Sequence, residues 1–316
     1  MTAGQLPELL AIADRHLADD LFEPFRHYPA LPADRPRWQT AWRTRLERLA
    51  ADPQVQILAS DAVILAVRDS DWDRSHFGFG MATLHVLLAA AVPNLERQLV
   101  ELLPACLELL RRRDVRFVST RVHGDHLRVV NTFEDHGFRY VDNVIWPVAS
   151  TDRLTQVMDP RVRRLTETDL PRVLELAQKW AYPRGHLYCN SGFEKAKVDA
   201  MYGKWLLTAW QTNAPIAVIE EAGRVEGFFQ FSVEPIDQTP LGHRYGHMRL
   251  CVLNGEVRGR GLGQALFAST MVLMAQMGAS HVDSGYSTKN HVSARLHGRN
   301  GFVSTHEEVT LHRWLT

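Results

Sequence analysis

Cysteine is scarce in this chain. Three occur in 316 residues, Cys106, Cys189 and Cys251, and no two form a CxxC pair. That spacing argues against a disulfide framework and against a cysteine-ligated zinc, and it fits a reducing compartment. An excess of charge is lacking too: 36 basic and 36 acidic side chains leave a formal net charge of zero. A dedicated nucleic-acid binder needs a basic face, so no nucleic-acid partner is expected, although a local basic pocket for a phosphorylated ligand stays open. Long apolar runs are also missing. The longest, 86–92, is far short of a bilayer span. The first 17 residues are already mixed, with Glu8, Asp14 and Arg15, and show no basic start followed by an apolar stretch. The expectation is a soluble, cytoplasmic protein with no membrane partner. Composition leaves the oligomeric state open, a homodimer included.

What is present is enough apolar material, 45% of the residues, for two cores, and the length suits two domains. Residues 4–21 carry Leu6, Leu9, Leu10, Ala13 and Leu17 at helical spacing. A second helix over 38–49 places Trp38, Trp42, Leu46 and Leu49 on one stripe. Strands are read at 55–58, 62–67, 81–88 and 115–122, with a helix over 95–112. The segment 71–80, rich in aromatics, charges and glycine, reads as a loop. A link over 149–160 separates domains 1–150 and 151–316. In the second, strands are read at 162–165, 214–221, 225–233 and 243–253, with helices near 170–180 and 193–210. The polar loop 182–193 lies between those helices.

The chain is organised around Arg258-Gly259-Arg260-Gly261-Leu262-Gly263. An apolar strand, Met248-Arg249-Leu250-Cys251-Val252-Leu253, precedes it, Asn254-Gly255 reads as a turn, and 264–275 has the composition of a buried helix. Strand, glycine loop and helix together make a geometry for holding phosphate. Glycine lets the backbone approach an anion, and the helix start offers free N–H groups and a partial positive charge. The spacing matches neither the dinucleotide fingerprint nor the P-loop, which ends in Gly-Lys-Ser/Thr. Downstream lie a short strand, His281-Val282-Asp283-Ser284, and then a segment from Asn290 to Phe302.

Together these two segments resemble the GCN5-related N-acetyltransferases (GNAT), which bind acyl-CoA. Their second motif is N-x-x-A-x-x-L-Y-x-x-x-G-F, and Asn290, Leu296, Gly301 and Phe302 stand at matching offsets. The pair Gly137-Phe138 echoes Gly301-Phe302, 164 residues apart (137 and 301), and at that offset Gly261 and Gly263 fall on Arg97 and Leu99. The fold implied is α/β: two tandem GNAT folds with mixed central sheets flanked by helices, the first degenerate and the second complete, with one CoA site. Trp72-Asp73-Arg74-Ser75-His76-Phe77-Gly78, Arg184-Gly185-His186 and Met201-Tyr202-Gly203-Lys204-Trp205 look like elements of the TDP-fucosamine acetyltransferases. Mycothiol synthases are similar in length but keep a more complete first half.

The resemblance implies transfer of acetyl from acetyl-CoA, as co-substrate and without a metal, to an amine. The acceptor would be a small molecule, a nucleotide-linked amino sugar above all, with another small amine, a protein N-terminus or a non-catalytic acyl-CoA-binding module as alternatives. Backbone groups of Leu250, Cys251, Val252 and Leu253 would meet the pantetheine arm. Arg258, Gly259, Arg260, Gly261, Leu262, Gly263 and Gln264 would hold the pyrophosphate, with Asn290 bonding the CoA arm or capping its own helix. Where the family places its tyrosine acid this chain has His297, whose ordinary pKa near 6.5 suits a proton donor. His247, on the strand before the loop, is the candidate base, with Glu226 and Glu234 flanking the preceding strand; water is the alternative. Arg184, His186, Tyr188 and Tyr202 are the acceptor-side candidates. The loop 182–193 contains no Asp or Glu, which favours an anionic acceptor.

Overall fold

The structure, a computed structural model, describes residues 7, 10–11, 35–60, 63–88, 94–152, 154, 157–234 and 244–315. The helix expected over 4–21 falls almost wholly outside these, as do the side chains of Trp38 and Trp42. Two compact units are present: Met1–Asn143 with His306–Thr316, and Val144–Thr305.

The first unit contains α1 (Arg35–Ala51), β1 (Val55–Ala59), β2 (Val63–Asp69), α2 (Asp71–Phe77), β3 (Gly80–Leu88), α3 (Leu95–Arg112), β4 (Val115–His123) and α4 (Leu127–Asp135). β1, β2 and β3 pair antiparallel, and β3 runs parallel to β4. The last strand of the chain, β12 (Val303–Trp314), pairs antiparallel with β4 from Glu308↔His123 to Trp314↔Phe117. Leu95, Leu99, Leu103, Cys106 and Leu110 make one buried stripe of α3. That stripe packs into a core with Leu65, Leu84, Val118, Phe133, Phe138 and Leu311.

The segment 71–80, expected as a loop, is α2 over most of its length. The Ser70 hydroxyl accepts the Asp73 N–H at its start, and Gly78, at φ 86°, ends it in the left-handed conformation that glycine adopts without strain. Both caps are written in the sequence, and the aromatic content masked them.

The second unit contains the end of β5 (Arg139–Ser150), then β6 (Val162–Arg164), α5 (Leu170–Trp180), α6 (Lys195–Gln211), β7 (Ile216–Glu221), β8 (Arg224–Val233), β9 (Tyr245–Leu253), α7 (Leu262–Gln276), β10 (His281–Ser284), β11 (Tyr286–Ser287) and α8 (His291–Arg299). Its strand order is β5-β10-β9-β8-β7-β6, with β11 also on β5. Among the described residues of this unit, β9 and β10 run parallel and the other paired strands antiparallel. α7 covers one face through Leu262, Leu266, Phe267, Met271 and Met274, which pack on Phe229, Phe231, Met248 and Val282. α5 and α6 cover the other face through Val173, Leu176, Ala177 and Leu206, which pack on Ile216, Val218, Phe228 and Val252.

These units do not divide at 150/151. Residues 148–150 pair with β10, and 308–314 pair with β4, so each unit takes a strand from the far side of that boundary. The internal echo is visible in the elements. A shift of 164 residues carries Leu127–Asp135 onto His291–Arg299, and both Gly137 and Gly301 have positive φ. The positions equivalent to Gly261 and Gly263, Arg97 and Leu99, lie inside α3, and Leu99 is fully buried.

Candidate functional site

The glycine loop follows a polar anchor built around Asn254 and Glu226. Asn254, at the end of β9, donates its backbone N–H to the Glu226 carbonyl at 2.8 Å. Its side-chain amide donates to the Glu226 carboxylate at 2.6 Å, and its Oδ1 accepts the Glu256 N–H. Arg172 donates to that same carboxylate at 3.2 Å and to the Val225 carbonyl at 3.1 Å. A buried carboxylate with a charged partner and an amide donor is a satisfied one, and removal of either would be costly. Glu226, a flanking candidate for base work, is thus committed to structure.

Beyond this anchor the backbone turns left-handed at Gly259 (φ 86°) and Gly261 (φ 81°), and nothing lies within 4 Å of where a side chain would begin at either residue. Gly261 is the N-cap of α7 and has no side-chain cap bond, so the cap residue leaves the first-turn N–H groups without a side-chain acceptor. Leu262 is buried and offers only its backbone. Arg258 lies over the Trp180 ring at 5.6 Å. Arg260 is exposed and pairs with Glu221 at 3.3 Å. The Gln264 amide donates to Asn300 Oδ1 at 3.0 Å, which ties α7 to α8. This open, donor-lined helix start fits a diphosphate.

Next to the loop, β9 and β10 part. They pair from Tyr245↔His281 to Met248↔Ser284, and among the described residues β9 has no β10 partner beyond Met248. β9 stays paired with β8 to Leu253, with a bulge that leaves Arg249 unmatched between Leu250 and Met248. Leu250, Cys251, Val252 and Leu253 therefore form a strand paired on one side only. Leu250 and Val252 pack toward α5 and α6, Leu253 packs toward α7, and Cys251 is exposed. An unpaired edge of this kind can bond an extended amide-bearing ligand. Asn290 caps α8, its Oδ1 accepting the Ser293 N–H at 3.2 Å, so its side chain has a structural partner.

The two histidines are not in the states expected of them. His247 Nδ1 lies 2.7 Å from Asp283 Oδ1, and Nε2 lies 2.9 Å from Glu234 Oε1. Burial works against its charge, but the bonds to the two carboxylates prevail and raise its pKa to about 9. At neutral pH it is an imidazolium with both nitrogens engaged, and it is not a free base. His297 is buried, and its Nδ1 donates to the Ser293 carbonyl at 2.8 Å. Its Nε2 is buried with no partner. Burial lowers its pKa to about 4, against a smaller opposing effect of that backbone bond. The imidazole is therefore neutral with its one proton on Nδ1, and it has none to give as a general acid. The rings of Phe267, Tyr286 and Phe302 enclose it at 4.8–4.9 Å.

On the acceptor side, Tyr188 and Tyr202 stack at 6.2 Å with an interplanar angle of 9°, and Trp205 lies 6.4 Å from Tyr202. The Tyr188 hydroxyl donates to Asp199 at 2.6 Å, and Lys195 donates to the other oxygen of that carboxylate at 2.6 Å. Burial raises both phenols, with Asp199 adding to it, and takes Tyr202 to about 12, so both stay protonated. Arg184 is exposed, and His186 is half-buried on the same loop. Tyr202 and Leu250 both pack on the α5–α6 core, which places Tyr202 on the face of the sheet that Leu250 occupies beyond the bulge.

The sequence reading missed Asp199, Lys195, Asp283 and Tyr286. Lys195 and Asp199 stand four apart on one helix, a spacing that could have revealed them. Asp283 meets His247 only through strand pairing, which no local pattern shows. Among the described residues no three His, Cys, Asp or Glu side chains gather as a metal site, and no helix is long and apolar enough to cross a membrane.

Comparison with known proteins bears on this geometry. The model of the Acetyltransferase (GNAT) family matches residues 177–302, less than half of the chain but all of the loop, the splay and α8. No curated protein matches. Among solved structures, a GCN5-related N-acetyltransferase from Sphaerobacter thermophilus is similar at 14% identity, with a TM-score of 0.59 over 99% of this chain and 94% of that one. A tandem GNAT protein from the clavulanic acid biosynthesis pathway is similar at 14% identity and TM-score 0.56, over 98% and 95%. A glucosamine N-acetyltransferase region of a fungal multi-domain GH3 β-N-acetylglucosaminidase is similar at 15% identity and TM-score 0.61, over 98% of this chain and 37% of that one. The fold is α/β and of the GNAT type, with a tandem GNAT protein among its neighbours.

Proposed function

We propose that this protein transfers an acetyl group from acetyl-CoA to the amine of a small acceptor, a nucleotide-linked amino sugar. The observation that carries the reading is the uncapped start of α7 behind Gly259 and Gly261, beside a β9 edge that loses its partner at Met248. The loop would hold the pyrophosphate on backbone N–H groups. Arg258 and Arg260 add charge, and the free edge at 250–253 takes the pantetheine amides. The thioester then lies near the bulge at Arg249.

The stacked pair Tyr188 and Tyr202 offers an aromatic face to the acceptor. The acid beside it, Asp199, is already neutralised by Lys195, and Arg184 is exposed on the loop, which suits an acceptor that carries phosphate. The glucosamine N-acetyltransferase named above adds weight to an amino sugar. The amine gives up its proton to water in this reading, because the His247 imidazole is already protonated. One observation favours a second reading, a non-catalytic acyl-CoA-binding module: His297 has no proton to donate.

Calorimetry with acetyl-CoA, followed by thiol-release and mass-spectrometric screening of amino-sugar nucleotides, free amino sugars and polyamines, tests both readings. One acetyl-CoA bound per chain and an acetylated amino-sugar nucleotide are expected. Binding without thiol release for any amine would leave the binding module. Acetylation of polyamines alone would refute the anionic acceptor.

A further inference from the structure

We propose that Tyr286 supplies the proton taken up by the departing CoA thiolate. The inference rests on the acyl-CoA reading above and names a residue which that reading leaves open. Aminolysis of a thioester breaks the C–S bond and leaves the electron pair on sulfur, which then needs a proton or a hydrogen-bond donor. His297 cannot supply it, since its only N–H points to the Ser293 carbonyl and its other nitrogen presents a lone pair. Three rings surround that imidazole, and of Phe267, Tyr286 and Phe302 only the tyrosine carries an O–H.

Tyr286 follows Ser284, the last β10 residue paired with β9, by two positions, so it stands where the two strands part. The ring is half-buried and lies 4.8 Å from His297 at a 32° tilt. Among the described residues its hydroxyl has no hydrogen-bond partner, and so is available to a ligand. Its backbone is fixed. Tyr286 pairs with Ile145 and Ser287 with Val144, while Gly285 sits so close to Trp146 that a side chain beginning there would meet the indole at 3.1 Å. The Ser287 carbonyl also accepts the Asn290 N–H at 2.8 Å, which ties this strand to the start of α8. His297 is in this view a positioning residue, a neutral flat platform for the tyrosine ring.

The step balances. As the C–S bond breaks, the Tyr286 O–H bond breaks and an S–H bond forms. The tyrosinate recovers through water the proton that the amine gave up. In the enzyme–CoA product complex the same hydroxyl donates to the thiolate and stabilises it.

The test is the thiol titration of bound CoA, followed by thiolate ultraviolet absorbance, in the wild type and in Tyr286→Phe, which keeps the ring. A hydrogen bond to a charged group corresponds to a shift of about tenfold or more in the thiol ionisation constant. The wild type should ionise its bound thiol more readily by that factor. The variant should bind acetyl-CoA with unchanged affinity and lose about tenfold or more in kcat for thiol release. Identical titration curves, or unchanged kcat, would overturn the assignment while leaving the acyl-CoA reading intact. If the wild type binds no CoA, that reading falls and this one falls with it.

Discussion

His247 and Asp283 meet at 2.7 Å across the parallel pair β9 and β10, at the register where the two residues are direct partners. Glu234 closes the far side of the imidazole at 2.9 Å. The array joins β9, β10 and the residue that follows β8, next to the point where β9 and β10 separate, so it bears on the stability of the splay. The folded-state pKa of His247 is raised to about 9 from an ordinary value of 6.5. A raised pKa means that the folded state binds the proton more tightly than the unfolded chain does. The stabilisation is therefore fully present below about pH 6.5, and it is lost as pH rises through about 9. Asp283→Asn should destabilise by about 1–3 kcal/mol at pH 6 in urea unfolding. The gap to wild type should narrow at pH 9.5, and an equal gap at both pH values would show that charge on His247 is not involved.

Gly261→Val concerns the loop. The residue sits at φ 81°, where a branched side chain is strained, and its open surroundings are where the phosphate would enter. Acetyl-CoA affinity should fall by about 100-fold or more, since both loop geometry and access are lost. Circular dichroism should remain that of the wild type. Arg97→Ala, at the equivalent place in the first unit, should change neither binding nor the stoichiometry of one. Two acetyl-CoA per chain in calorimetry would contradict a single site.

Gly255 and Trp180 make a second contact that leaves no room for change. A side chain beginning at Gly255 would overlap the six-membered ring of the indole, and that ring also lies under Arg258. Gly255→Ala should cost about 1–3 kcal/mol through overpacking. It should also weaken acetyl-CoA binding several-fold, because the displaced ring no longer supports Arg258. Thermal unfolding and calorimetry on one sample measure both. Lost stability with unchanged affinity would separate Trp180 from the loop.

Legibility in the sequence followed locality. The strand, loop and helix around Gly261 are contiguous, and each carries its own signal: an apolar run, a glycine pair, a buried-helix composition. α8 was equally plain, because Asn290 and the Gly301-Phe302 pair bound it on either side. Long-range partners were not. The residues that meet at His247 stand 13 and 36 positions away, and which strand lies beside which is decided by packing of the sheet. The fate of the last strand was hidden for the same reason: Val309 and Leu311 are apolar enough for either core, and only pairing with β4 assigns them to the first unit. At position 297 the sequence offered a histidine at a matching offset, but the burial that fixes its protonation depends on Phe267 and Tyr286, which come from other elements.

The state of His297 leads to an expectation opposite to that of an acid. A buried imidazole at a pKa of about 4 is uncharged throughout the neutral range, and its bare Nε2 costs desolvation without a compensating bond. His297→Phe replaces it with a ring of comparable shape that needs no partner. The Nδ1–H bond to the Ser293 carbonyl is lost, but that carbonyl belongs to a helix and the loss is on the order of 1 kcal/mol. The two changes oppose each other, so thermal stability should stay close to wild type. The rate of thiol release should fall less than about threefold, where removal of a general acid would cost about 100-fold. The pH dependence of kcat between 5 and 8 should also be unchanged, since no proton on this residue titrates there. A rate loss near 100-fold with intact folding would restore His297 as the donor and remove Tyr286 from that role.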